Sequence, residues 1–443
     1  MKSKGLLTAS FLLLVLSGTI WWSNKKAATP DKTPAASTTV KLLNVPEDQI
    51  QSIDIKKRDG DHVQVQRRDS KWQLVTPELL SADPDAVTSM LSNLSSLSSD
   101  RSIEEKATSL DQYGLTQPAM ELNITDKNKK STRLLFGDDT PAGSAVYAAI
   151  AGDPRVFVLS SYKRNSFDKS ANDLRDKRLL PFDSDKVSSI ELTVKKQTVT
   201  FGRSKDEWQI IKPKPFRADR SQVEELLRTL RDAKMDLSAP GDGTKMAAAF
   251  SSGTPFATGR VTDVSGTQEL QVRKNKDVYY AKSTAVAAVY KISSGTATGL
   301  DKRIDDFKNK KLFDFGFTDP DKVELHDGAK SYFLTHSGRD WWSNGTKMDP
   351  STVSVLIDRI RDLSASNFAE TGFAASALDF AVTSDGGKRI EKVSLSKVGD
   401  KYLAKRENEP ALYLLEASAV TDLQKSAADL KPAAAPTPPA GKK

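Results

Sequence analysis

Trp208-Gln209-Ile210-Ile211-Lys212-Pro213, followed by Asp219 and then by Val223, Leu226, Leu227 and Leu230, is the stretch that decides the fold. A short run that alternates around apolar residues and stops at proline reads as a strand, because proline has no N–H to offer a further partner. Asp219 stands ahead of apolar residues at three- and four-residue spacing. That is the pattern of an amphipathic helix whose first N–H groups are capped by a carboxylate. The same order is written at Trp72-Gln73-Leu74-Val75-Thr76-Pro77, Asp83, Val87, Met90, Leu91 and Leu94. It recurs, without the proline, at Trp341-Trp342, Asp349, Val353, Leu356, Ile357 and Ile360. Trp72 and Trp208 lie 136 residues apart, Trp208 and Trp342 134. Solenoid repeats run roughly 20–50 residues, so a period this long means tandem globular domains.

Outward from each tryptophan the order of elements repeats. A hairpin precedes it, at Ile53-Asp54-Ile55 with Val63-Gln64-Val65, at Ile190-Glu191-Leu192 with Val199-Thr200-Phe201, and at Val323-Glu324-Leu325 with Tyr332-Phe333-Leu334. Alternating runs follow each helix, at 120–124, 133–136, 145–149 and 156–159, then at 270–272, 278–281 and 289–292, then at 393–395, 401–404 and 412–415. Stretches 172–180 and 301–312 read as closing helices. Strands in runs with interspersed helices predict an α+β chain of three tandem homologous domains, at 44–182, 183–315 and 316–430. Each is expected to be an antiparallel sheet with helices on one face.

The N-terminal end carries a different signal. Lys2 and Lys4 precede an apolar run over residues 5–22, built from Leu6, Leu7, Phe11, Leu12, Leu13, Leu14, Val15, Leu16, Ile20, Trp21 and Trp22. Crossing a bilayer as a helix takes roughly 17–25 such residues, and the tryptophan pair suits the far interface. The run over 1–23 is therefore expected to be a transmembrane anchor, with a cleaved signal peptide as the rival reading. A signal-anchor would leave the body outside the cytoplasm, in the periplasm or extracytoplasmic space, on the inner membrane. Residues 24–43 read as an Ala/Thr/Pro-rich linker, and 431–443 as a disordered Pro/Ala tail.

Composition excludes several chemistries. Without cysteine there is no disulfide, zinc-thiolate or thiol nucleophile. Only His62, His326 and His336 are available for acid–base or metal work near neutral pH. The net charge of +8 arises from 66 basic residues mixed among 58 acidic ones, which describes a solvated surface. No G-x-x-x-x-G-K-[ST] loop and no G-x-S-x-G elbow occur. Gly241-Asp242-Gly243-Thr244-Lys245 reads as a flexible loop, and Asp138-Asp139 as turn chemistry. His326-Asp327 is a sequence neighbour pair whose side chains diverge on a strand. Basic clusters at Arg175, Lys177 and Arg178, and at Lys302, Arg303, Lys308, Lys310 and Lys311, lack interleaved aromatics, so no nucleic-acid partner is expected. No catalytic residue, metal or cofactor is assigned. An enzyme with a site outside the known motifs stays as the least favoured reading. Trp341-Trp342 is the expected contact site: one indole fills the core and its neighbour must face outward.

The anchor, the hairpin with W-x-[LI]-x-x-P, the aspartate-capped helix and Tyr113-Gly114-Leu115-Thr116-Gln117-Pro118 together resemble a bacterial domain-of-unknown-function family, DUF 4340. The resemblance covers nearly all of the chain beyond the linker and is strongest in the first unit. The turn decays to Phe250-Ser251-Ser252-Gly253-Thr254-Pro255 in the second unit and to Thr371-Gly372-Phe373 in the third. Members often accompany gliding-motility-type ABC transporter permeases. The resemblance thus implies a non-enzymatic, membrane-anchored accessory or scaffold subunit whose partners include ABC permease and ATPase subunits. An envelope-polymer or glycan-binding module is the alternative.

Overall fold

The computed structural model describes residues 39–204, 207–238 and 242–434. The chain divides into two compact units, one ending at Lys177 and one beginning at Arg178. The first unit holds one antiparallel sheet and the second holds two. No helix among the described residues is long and apolar enough to cross a membrane. The expected anchor, residues 1–23, and most of the linker lie outside the described residues.

The first sheet contains β1 (Ile50–Lys57), β2 (His62–Arg68), β3 (Lys71–Thr76), β4 (Leu80–Ser81), β5 (Arg101–Glu104), β6 (Met120–Asp126), β7 (Ser131–Asp139), β8 (Ala145–Ile150) and β9 (Val156–Ser160). Their spatial order is β4-β3-β2-β1-β6-β7-β8-β9-β5. Helices α1 (Pro84–Ser95), α2 (Ser161–Phe167) and α3 (Ala171–Leu174) accompany it. Asp83 caps α1 by accepting from the N–H groups of Asp85 and Ala86, and Pro84 takes the first helical position, where no N–H is needed. Val87, Met90, Leu91 and Leu94 then bury one face of α1. They meet Ile53, Ile55, Val65 and Leu74, the inward residues of alternating strands.

The second sheet repeats the order through β10 (Ser189–Val194), β11 (Gln197–Ser204), β12 (Glu207–Lys212), β13 (Phe216–Arg217), β14 (Thr254–Asp263), β15 (Gly266–Asn275), β16 (Val278–Ser283) and β17 (Val289–Ile292). Its helices are α4 (Arg220–Arg231), α5 (Gly243–Ser252), α6 (Ser294–Leu300) and α7 (Ile304–Phe307). The third sheet runs through β18 (Lys322–Asp327), β19 (Lys330–Ser337), β20 (Asp340–Ser343), β21 (Thr346–Lys347), β22 (Asn367–Ala369), β23 (Leu378–Ser384), β24 (Arg389–Val398), β25 (Lys401–Arg406) and β26 (Leu412–Glu416), with α8 (Pro350–Asp362) and α9 (Ala417–Ala428). Asp219 and Asp349 cap α4 and α8 as Asp83 caps α1. Three antiparallel sheets built in one order are three repeated domains.

Backbone hydrogen bonds repeat as faithfully as the side chains. The segment entering each domain pairs behind its long helix: Leu42 N–H donates to Leu97 O, Leu179 N–H to Ala233 O and Leu312 N–H to Leu363 O. The segment leaving each domain pairs along its shortest strand: Asp176 N–H to Ser81 O, Asn309 N–H to Arg217 O and Ala433 N–H to Lys347 O. This pairing explains why the closing helices expected over 172–180 and 301–312 are single turns, α3 and α7. The chain must be extended after each turn to satisfy these backbone groups. The same device orders residues 431–433, which corrects the expectation of a disordered tail there, while 435–443 lie outside the described residues.

Helices do not keep to one face. Asn275 donates to Ala249 O and Arg273 lies over the Phe250 ring at 5.0 Å, so α5 packs on the side of β15 opposite to Leu270 and Val272. Residues 242–245 therefore do not form the flexible loop expected, because Asp242 accepts from Thr244 and Lys245 N–H and starts α5, while residue 241 lies outside the described residues. In the first domain the same back face is closed by Leu115, Leu135, Ala149 and Val156, a second small core. The motif at residues 113–118 serves it. Gly114 sits in the left-handed region at φ 64°, and a Cβ there would collide with the Asp138 carboxylate. A Cβ on Gly137 would collide with the carbonyl oxygen of Tyr113. Asp138 and Asp139 are thus not a turn: they end β7 and pair with Arg58 at 3.1 Å and Arg164 at 2.8 Å.

Candidate binding cleft between the second and third domains

Within the second unit, the junction of its two domains leaves no slack. Asn309 N–H is bound to the second domain, and Lys310 O accepts from Ala365 N–H of the third. Phe216 packs against both cores and meets Phe368 edge-on at 5.9 Å, and Phe368 meets Tyr413 at 5.2 Å. Lys308 lies over both phenylalanine rings, its Nζ 4.4 Å from one centroid and 4.9 Å from the other. The basic run at 302–311 reads as solvated surface in the sequence. Lys308 instead places a cation on two aromatic faces, a contact worth about 0.5–2 kcal/mol.

Beside these rings lies a charge network. Arg217, from β13, donates to the Asp314 carboxylate and to Lys311 O, and its Nε stands 3.1 Å from Glu409 Oε1. Arg406, from the end of β25, donates to Leu312 O, to Glu391 Oε1 at 3.0 Å and to Glu409 Oε1 at 2.7 Å. Tyr413 donates to Glu409 Oε2 at 2.7 Å. Glu391, 4% exposed, accepts the Asp314 N–H with both oxygens, at 3.1 and 3.0 Å. Burial pushes the Tyr413 phenol up to about 12; Arg217 opposes that rise and Glu409 adds to it. Burial by itself would lower the Arg217 guanidinium, but Tyr413, Asp314 and Glu409 beside it raise it above its usual value.

A cleft of about 540 Å³ opens next to the network. Trp208, Phe216 and Pro410 contribute to its apolar wall, and Asn309, Asn408 and Arg389 are among the polar groups that face it. Arg389 differs from Arg217 and Arg406. It stands 3.9 Å from Asp314 and 3.7 Å from Glu391, beyond hydrogen-bond distance, with a third of its side chain exposed. Nothing in the sequence marks these residues, because no local spacing joins Arg217 to Glu409.

The residues expected to form a contact site separate cleanly. Trp341 is buried at 5% exposure, and Trp342, on the other face of β20, is 37% exposed. Trp341 pairs across the ladder with His336 as Trp208 pairs with Arg203 and Trp72 with Arg67. The third repeat is therefore in phase at Trp341 and not at Trp342, which the spacing aligns with Trp208. Trp342 faces outward beside Lys347 and Thr335, and Phe333, 39% exposed, lies two residues along β19 from Thr335. The expected anchor residues, Leu6 to Trp22, lie outside the described residues. Among the described residues no group of three or more His, Cys, Asp or Glu side chains is arranged to hold a metal ion.

No curated protein matches the chain. Among solved structures, the DNA polymerase III subunit beta from Pseudomonas aeruginosa aligns over 88% of this chain and 94% of its own, at 9% identity and a TM-score of 0.18. A DNA polymerase sliding clamp from Pseudomonas aeruginosa with ligand aligns over 85% and 93%, at 9% identity and a TM-score of 0.17. Likenesses this slight bear on neither fold nor function. One family matches twice, over residues 72–251 and 208–383, and the two matches begin at the equivalent tryptophans of the first and second repeats, Trp72 and Trp208. Together they span well over half of the sequence, and the chain belongs to that family, the domain of unknown function DUF4340.

Proposed function

We propose that this protein is a membrane-anchored, extracytoplasmic scaffold that works beside an ABC-type transport or surface-export system, without catalytic activity of its own. The observation that carries the reading is the junction in the second unit, where backbone pairing, edge-on rings and a charge network tie two domains together. Inter-domain motion is the default for tandem domains, so a joint fixed at this expense suits a rigid spacer that holds partners at a set geometry. The apolar run at 5–22 is the proposed tether, and the transporter association rests on the family resemblance alone.

The test is affinity purification of the full chain from gently solubilised membranes. Permease and ATPase subunits should come down with it, and their repeated absence would sink the reading. A second reading, an envelope-polymer-binding module, is favoured by Trp342 and Phe333 on one exposed sheet face, since exposed aromatic rings pack against the apolar C–H faces of sugar rings. Pelleting with purified cell-wall material, dependent on Trp342, would select it.

A further inference from the structure

We propose that the cleft between the second and third domains binds a small organic anion, a carboxylate on a hydrophobic body, and that Arg389 receives the carboxylate. Arg217, Arg220, Arg389 and Arg406 line it against Glu207, Asp314 and Glu409, and the buried Glu391 behind Arg389 and Arg406 balances the fourth cation. Asp314 and Glu409 are already held at short range by Arg217 and Arg406, and Glu409 also takes the Tyr413 hydroxyl. Arg220 gives its Nε to Glu224 on its own helix at 2.6 Å. Arg389 is the cation in the network whose carboxylate neighbours, at 3.7 and 3.9 Å, are too distant for hydrogen bonds.

A planar guanidinium in that position matches a carboxylate as a two-point acceptor, which a lysine would not. Asn408, in the left-handed region at φ 66°, also lines the cleft. The remaining surface suits a hydrocarbon body. Trp208, Phe216, Pro410 and Ala411 form an apolar wall, and the volume falls within the roughly 300–1,000 Å³ that small-molecule sites occupy. The walls come from two domains that the junction fixes relative to each other, so the site is preformed and binding spends little on closing it.

The experiment is isothermal titration of the full chain in detergent with 3-phenylpropanoate, and with 3-phenylpropanamide as the uncharged twin. The expected result is saturable binding of the anion, no binding of the amide, and a loss of at least about tenfold in Arg389→Gln. Because the Arg389 guanidinium also stands within ion-pair range of Asp314 and the buried Glu391, thermal unfolding of that variant is recorded beside the titration, and binding is compared at a temperature where both proteins are folded. Pro410→Trp, which adds an indole at an exposed position of the lining, should abolish binding with Arg389 intact. The proposal is overturned if the anion shows no saturable binding, if the amide binds equally well, or if Arg389→Gln or Pro410→Trp binds the anion as the parent does. None of these outcomes depends on a transporter partner, so this site and the scaffold reading stand or fall separately.

Discussion

His336 stacks on Trp341 with ring centroids 4.7 Å apart and planes 20° from parallel. The same cross-strand place is held by Arg203 over Trp208 at 5.8 Å and by Arg67 over Trp72 at 5.7 Å. Three repeats thus lay a flat cationic or imidazole group on the core indole, whatever else has changed between them. Alternation along β20 then forces Trp342 outward. Trp341→Ala should destabilise the third domain by about 3–5 kcal/mol, the usual cost of deleting a buried aromatic. Trp342→Ala should stay within about 0.5 kcal/mol of the parent. Urea unfolding of the two variants measures the contrast, and equal losses would refute the assignment.

Among the described glycines of the first domain, Gly137 has the least room for a side chain. Its Cα faces the carbonyl oxygen of Tyr113, and neither is a flexible side-chain end that can move aside. Gly137→Ala should therefore cost the first domain about 1–3 kcal/mol, the range for overpacking a close backbone approach. Gly143, at φ 71° with open space around it, provides the control. Gly143→Ala meets only the left-handed backbone penalty, about 1 kcal/mol. Thermal unfolding that ranks the two the other way would count against the interlock between β7 and the turn at 113–118.

How much of this is legible in the sequence follows from where each signal resides. The helices α1, α4 and α8 and their capping aspartates are local patterns, complete within a dozen residues, and they stand where the spacing places them. The closing helices fall short because NDLRDKRLL has helical composition, yet Leu179 must present its N–H to Ala233 O, a partner far along the chain. Asp138-Asp139 resembles a turn for the same reason: Arg58 and Arg164, which hold those carboxylates, are remote in sequence. The cleft is invisible. Arg217, Asp314, Arg389 and Glu409 belong to four different segments, and only the packing of two domains assembles them.

Tyr413 makes the junction sensitive to alkali. Its phenol ionises near 10 when unfolded and at about 12 in the fold, so the native state keeps its proton longer. That contribution is fully present below pH 10 and is lost as pH rises through 12, where both states are ionised. A rise of that size corresponds to about 2–3 kcal/mol. Stability of the second unit should therefore fall between pH 10 and 12 by about that much more in the parent than in Tyr413→Phe. Denaturant midpoints taken across that window test the slope, and parallel profiles would rule the mechanism out.

Arg217 joins the second domain to the third, and its removal should uncouple them. Replacing it with alanine removes the cation between Asp314 and Glu409 while Arg406 stays on Glu409 and Arg389 stays near Asp314, a loss of about 1–3 kcal/mol. The cost falls on the interface and not inside either core, since Val223 and Leu226 of α4 belong to one core and Val353 and Leu356 of α8 to another. In the parent, amides in the middle of α4 and α8 should exchange with deuterium through one shared opening, as a single cooperative unit does. In Arg217→Ala the two helices should exchange at different rates, each reporting the stability of its own domain. If both helices slow or quicken together in the variant, the shared apolar contact of Phe216 with Phe368 is sufficient to couple the domains, and the charge network is not what fixes the joint.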